Sequence, residues 1–177
     1  MVAAGAALAD EVGLDRLTMG LLAERVGVRT PSLYKHVGGQ EDLNRRIAAL
    51  ALGEAADAVG VAVQGRAGRD ALAAAARAFR AFVVEHPGRY AATIGVEPSG
   101  PADPPAAEGE RLLASFTAVL RSYAIAESEV DHALRMLRSL CHGFATLQSS
   151  NGFQWSADVD ESFEWLIAFV DRGLRAG

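Results

Sequence analysis

The chain has 177 residues, 50% hydrophobic and 22% charged, with Lys+Arg 17 against Asp+Glu 22 for a formal net charge of -5; this is an ordinary soluble globular composition with enough length to bury a core unaided. The single cysteine, Cys141, excludes an internal disulfide framework and any multi-cysteine zinc site. No run reaches the ~18 apolar residues of a membrane span, and charges at Asp10, Glu11, Asp15 and Arg16 interrupt the opening apolar stretch as no signal peptide would allow, so a cytoplasmic protein without a membrane partner is expected.

Apolar residues recur at i, i+3, i+4 and i+7 in nearly every long segment and nowhere alternate for strand length, so the expected fold class is all-α with about nine helices. A first helix is predicted over residues 2–12, stopping at Gly13. A second begins after an N-cap at Thr18 and ends near Gly27. A short third helix covers residues 30–37 and is closed by Gly38-Gly39, and a fourth starts at Glu41 and carries Leu43, Ile47, Leu50 and Leu52 at helical spacing. Gly60, Gly65 and Gly68 loosen the connection to a fifth helix over residues 69–85, which His86-Pro87-Gly88 ends ahead of a helical turn around residues 89–94. Pro98, Pro101, Pro104 and Pro105 then forbid regular structure until about Ala106. Helices over residues 107–123, 128–149 with Ser128 as N-cap, and 162–175 complete the count.

Residues 18–37, TMGLLAERVGVRTPSLYKHV, read as two short helices joined by a tight turn containing glycine. Ala23 is small where the helices approach, Gly27 supplies a positive φ, and Leu22, Val26, Val28 and Leu33 provide the packing between them. Pro31 falls in the first turn of the second helix, where its missing N–H is not needed. That helix turns Arg29, Thr30, Ser32, Tyr34, Lys35 and His36 outward, a set of donors suited to phosphates and base edges. Charge agrees locally: Arg29, Lys35, Arg45 and Arg46 face only Glu41 and Asp42 within residues 29–46, so an acidic whole carries a basic segment.

The pattern from Leu17 to Leu43, T-M-x-x-L-A-x-x-x-G-V-x-x-x-S-L-Y-x-H-V-x-x-x-E-D-L, resembles the DNA-binding domain of the TetR/AcrR family of bacterial transcriptional regulators. The resemblance implies a three-helix helix-turn-helix domain over residues 1–50 and a ligand-binding and dimerisation domain over residues 51–177. It also implies a homodimer that holds a palindromic double-stranded DNA operator as a repressor and leaves it when a small-molecule effector binds. By position, Arg29, Thr30 and Ser32 would lie near bases, Tyr34, Lys35 and His36 near phosphates or adjacent bases, and Thr18 near a phosphate at a helix N-terminus. Two departures bear on affinity. Gln40 stands where the family often has a lysine, and the chain opens inside the first expected helix rather than with a basic lead.

Farther along, F-x-x-x-H-P-G-R-Y from Phe82 and R-M-L-R-S-L-C-H-G-F-A-T-L-Q from Arg135 resemble the family's regulatory domain of the WHG type, named for a Trp/His-Gly element, here His142-Gly143. Gly143 inside a helix costs about 1 kcal/mol against alanine, which points to close approach of another helix. The family implies a pocket among these helices, with Phe82, Phe116, Leu140 and Phe144 as liners of a site for an apolar or aromatic effector; each also fits a packed core. A stripe of Leu134, Leu137 and Ala145, then Phe163, Leu166, Ile167 and Val170, would dock against its symmetry mate.

No enzyme is expected. The segment from Gly60 to Ala67 has Arg66 and Ala67 where a phosphate loop needs lysine and a hydroxyl, and Cys141 sits mid-helix among apolar residues that raise a thiol's pKa. His86, His132 and His142 lack zinc-type spacing, so neither metal nor cofactor is expected. The alternative is a helical small-molecule binding module that no longer reads DNA, suggested by Gln40 and by the equal numbers of acidic and basic groups in residues 1–50.

Overall fold

The computed structural model describes residues 1–97, 100 and 103–176. Among them are nine α-helices and no strand: α1 (Val2–Val12), α2 (Met19–Arg25), α3 (Thr30–Leu33), α4 (Gln40–Val63), α5 (Gly68–Glu85), α6 (Pro87–Ala91), α7 (Pro104–Leu120), α8 (Val130–Ser149) and α9 (Val159–Ala176), with 3₁₀ turns at Leu14–Arg16 and Glu127–Glu129. The chain divides into two compact units. One comprises Met1–Glu54 with His86–Glu110, the other Ala55–Glu85 with Arg111–Gly177.

The expected boundaries shift where a cap differs from the one foreseen. Ser128 does not cap α8; it lies inside the 3₁₀ turn, and α8 begins at Val130 after Glu129, without a side-chain cap. The last helix begins three residues earlier than expected because the Asp158 carboxylate accepts the Glu161 N–H at 2.9 Å and satisfies a first-turn donor. Pro104 and Pro105 do not keep α7 from forming, since both occupy its first turn, where proline loses no intrahelical bond. The expectation of irregular structure at Pro98 and Pro101 lies outside the described residues.

In the first unit Leu22, Leu43 and Ile47 are wholly buried and form the centre of a cluster with Ala6, Leu8, Ala9, Leu17, Met19, Leu33 and Val37. Gly5 lets α1 lie directly on α4: a methyl group there would stand 3.3 Å from both Leu43 Cδ1 and Ile47 Cδ1. A second close approach fixes α6 on α1. A Cβ on Gly88 would fall 1.9 Å from the Ala9 carbonyl oxygen, so only glycine fits. The next residue completes the junction, with Arg89 donating its backbone N–H to Asp10 at 2.7 Å, Nε to Asp10 at 2.8 Å and a terminal nitrogen to Glu54 at 2.6 Å.

In the second unit α5 lays Leu72, Ala75, Ala76, Phe79 and Val83 inward and packs against α8 and α9. This contact takes up most of the stripe that the sequence reading assigned to a symmetry mate: Leu137, Ala145, Phe163, Ile167 and Val170 are buried within the single chain, while Leu134 and Leu166 are half-buried. Arg80, largely buried, lies over the Phe144 and Phe163 rings and donates to Gln148 at 2.7 Å and Asp160 at 2.6 Å. Tyr123, following α7, donates its hydroxyl to buried Asp171 of α9 at 2.7 Å, and Arg175 Nε donates to the same carboxylate at 3.0 Å.

Candidate nucleic-acid interface

Thr18 caps α2 as its spacing predicts, its Oγ accepting the Leu21 N–H at 3.2 Å. The other end of α2 closes by reciprocal bonds: Gly27 at φ 71 donates to Glu24 at 3.1 Å, and Val28 donates to Ala23 at 3.0 Å. This Schellman closure needs the left-handed conformation that glycine adopts freely. It turns the chain sharply into α3, and Arg25 ties α2 back to α1 through Glu11.

The α-helical part of α3 is shorter than the predicted 30–37. It spans Thr30–Leu33, after which His36 N–H bonds Leu33 at 2.8 Å in a 3₁₀ turn and Val37 N–H bonds the same carbonyl at 3.1 Å. Leu33 and Val37 are the anchors, both buried under α2 and α4 residues of the same cluster. Val28, expected among the packing residues, is instead 44% exposed, because the Schellman turn carries it past the end of α2.

Around those anchors Arg29, Tyr34, Lys35 and His36 are exposed, Thr30 and Ser32 half-buried, and Thr18 exposed at the start of α2. The residues named from sequence therefore share one helix-turn-helix segment, with Tyr34 56% exposed. The turn into α4 is held by Asp42, which accepts the Gly38 N–H at 2.8 Å and pairs with Arg46 at 3.0 Å. Arg46 foremost, then the Gly38 N–H, holds this carboxyl below its ordinary pKa. Gln40, at the family's frequent lysine position, donates its amide to Asn44 at 2.9 Å.

The four expected effector liners all fall in the second unit but in different surroundings. Phe82 and Phe116 are buried, and Phe116 meets Phe79 edge-on at 6.1 Å. Phe144 lies between Phe153 at 4.7 Å and Phe163 at 4.8 Å. Leu140 borders an apolar cavity of about 10 Å³ with Leu72, Ala76, Leu137, Cys141, Phe163, Leu166, Ile167 and Val170, room for about one water molecule. Burial pushes the Cys141 thiol up to about 12, so it is inert as a nucleophile. Among the described residues no three His, Cys, Asp or Glu side chains stand together to hold a metal ion, and no helix is long and apolar enough to cross a membrane.

Sequence reasoning missed the apolar surface of the last two helices. Trp165 and Phe169 are 65% and 56% exposed and stack at 5.5 Å, while Met136 and Leu147 are exposed on one face of α8. Their i, i+4 and i, i+11 spacings were available as a signal, but the neighbouring stripe of equal apolarity masked it. Gly143 lies on that α8 face, and a Cβ there would meet nothing within 4 Å, so nothing among the described residues makes the close approach expected of it.

Residues 1–47 match the family described as bacterial regulatory proteins, tetR family, and residues 72–170 match the tetracyclin repressor-like C-terminal domain. The second match contains both later stretches quoted above. An uncharacterized HTH-type transcriptional regulator, YobS of Bacillus subtilis (strain 168), is 30% identical over 98% of this chain and 90% of its own length. The same fold occurs in a possible TetR family transcriptional regulator from Streptomyces coelicolor A3(2), with a TM-score of 0.78 at 23% identity, covering 99% of this chain and 97% of that one. It occurs also in BioQ bound to its natural double-stranded DNA operator, with a TM-score of 0.70 at 19% identity over 99% and 96% of the two chains. The helix-turn-helix geometry and these matches together establish that the chain belongs to the TetR family of bacterial regulatory proteins and is a DNA-binding transcriptional regulator.

Proposed function

We propose that the protein is a homodimeric repressor that reads a palindromic operator through Arg29, Thr30, Ser32, Tyr34, Lys35 and His36, with Thr18 at a phosphate, and that an apolar or aromatic small molecule releases it. The observation that carries this reading is the exposed donor face around α3, held rigidly by buried Leu33 and Val37. A face of exposed arginine, lysine, histidine and tyrosine on a pinned helix suits phosphate positioning and base-edge contact in a major groove. The operator complex of BioQ, a protein of the same fold, supports the same use here. Residues 1–50 then serve as the DNA-binding domain and residues 51–177 as the ligand-binding and dimerisation domain, in the cytoplasm.

The dimer surface in this reading is the exposed face of α8 and α9, with Met136, Gly143, Leu147, Trp165 and Phe169. An open glycine between two exposed apolar side chains admits a partner helix at close range. The effector region is the neighbourhood of Phe82, Phe116, Leu140 and Phe144, where an effector larger than the small cavity beside Leu140 would have to spread α5, α8 and α9.

Selection from a random duplex library at two salt concentrations, followed by sequencing of the retained DNA, tests the reading. Enrichment of a palindrome with half-sites about one helical turn apart is expected. Absence of any enriched sequence, with negligible affinity at low salt, would refute it.

A further inference from the structure

We propose that the cleft at the start of α5 binds a compact oxyanion with two charged edges, a phosphate monoester or a short dicarboxylate. The cleft, open to solvent on one side, has a volume of about 350 Å³ and is lined by Arg66, Arg69, Asp70, Ala73 and Arg77, within the size range of small-molecule sites. Its lining shares no residue with the donor face around α3 or with the four aromatic and aliphatic effector liners.

The wall is built rather than loose. Gly65 at φ 69 and Gly68 at φ 55 fold the connection back so that Arg66 stands beside the first turn of α5, and the Gly68 N–H donates to Ser122 Oγ at 2.9 Å. Arg77 is fixed by two parallel bonds of 2.6 Å to Glu164, which keep both groups charged. Ala73, buried and short, leaves the floor open between Arg69 and Arg77 on one face of the helix.

The charges in the cleft are not balanced. Arg77 is spent on Glu164 and nearby Arg175 on Asp171. Among the described residues Arg66 and Arg69 form no ion pair; the positive charge of Arg69 acts from a distance on the Glu164 and Asp171 carboxyls and on the Tyr123 hydroxyl, lowering each. Asp70 is the one carboxylate in the lining. Two guanidinium forks without partners match two oxyanion edges, because each fork binds a carboxylate or phosphate edge with parallel N–H donors. The guanidiniums are exposed, so binding should be modest and weaken with salt.

Calorimetric titration of the full-length protein at low ionic strength tests this, with inorganic phosphate, succinate and acetate as probes at matched ionic strength. Saturable binding of phosphate or succinate at one site per chain is expected, with acetate at least tenfold weaker. Replacing Arg66→Ala together with Arg69→Ala should weaken it tenfold or more with an unchanged circular dichroism spectrum, whereas Arg138→Ala, an exposed arginine outside the cleft, should leave it unaltered. Tighter binding of phosphate than succinate identifies phosphorylated ligands as the source, and the reverse order identifies dicarboxylic acids. No saturable binding, equal binding of acetate, equal loss in Arg138→Ala, or full binding by the double variant would each overturn the proposal and leave an arginine surface that attracts anions indiscriminately.

Discussion

Replacing Gly88→Ala should cost this protein about 3–5 kcal/mol of stability, a large share of the 5–15 kcal/mol typical of a folded chain. The added Cβ would lie 1.9 Å from the Ala9 carbonyl oxygen, 2.1 Å from its carbon and 2.5 Å from the Asp10 nitrogen, all backbone atoms of α1 that no rotamer change can move. Carbon contacts settle at about 3.5–4.0 Å, so α6 must retreat by roughly 1.5 Å. Overpacking alone costs about 1–3 kcal/mol. The retreat also stretches the Arg89 bonds to Asp10 at 2.7 and 2.8 Å, and charge-assisted hydrogen bonds contribute about 1.5–3 kcal/mol each. Urea denaturation followed by circular dichroism would measure the difference. A loss below about 1 kcal/mol would show that α6 is not fixed on α1 by this contact and would refute the reasoning.

Lys35→Ala should weaken binding to all duplexes alike and flatten the dependence of log affinity on log salt by about one unit, as for one lost phosphate contact; loss confined to one base position would assign Lys35 to base readout instead. Trp165→Glu with Phe169→Glu should convert a dimer to monomers in sedimentation without lowering the helical signal, since both side chains are exposed in the single chain; an unchanged dimer would place the interface elsewhere. Asp171 is held below its ordinary pKa first by Arg175 and then by the Tyr123 hydroxyl. Its contribution is therefore complete above the unfolded value near pH ~4 and disappears as pH falls through the lower folded value. The stability gap between the native protein and Asp171→Asn should narrow as pH falls below roughly 4.5 in acid titrations of unfolding; a gap that stays constant as pH falls would mean the carboxylate charge contributes nothing.

The first helix, the Thr18 cap and the positive φ at Gly27 were legible in the sequence because each rests on local backbone chemistry within a few residues. The outward donors of α3 were legible for the same reason, since burial of Leu33 and Val37 fixes which residues remain outside. The Ser128 cap failed because a 3₁₀ turn satisfies the start of α8 differently, and residues three positions away compete for the same backbone donors.

The apolar stripe on α8 and α9 shows the limit most clearly. Periodicity established that Leu137, Ala145, Phe163, Ile167 and Val170 would be covered, yet burial has no direction in a sequence, and only the packing of α5 across these helices decided that the chain itself covers them. The same packing left Trp165 and Phe169 outside. Gly88 is a parallel case: its sequence context marked the end of a helix, whereas its need for zero side-chain volume arises from α1, nearly eighty residues earlier in the chain. By itself the sequence determined helix type, the Thr18 cap and the outward donors around α3, which depend on neighbours within a turn or two. The tertiary structure alone decided which apolar faces meet one another and which arginines find no carboxylate, because those outcomes depend on distances between residues that the chain order does not encode.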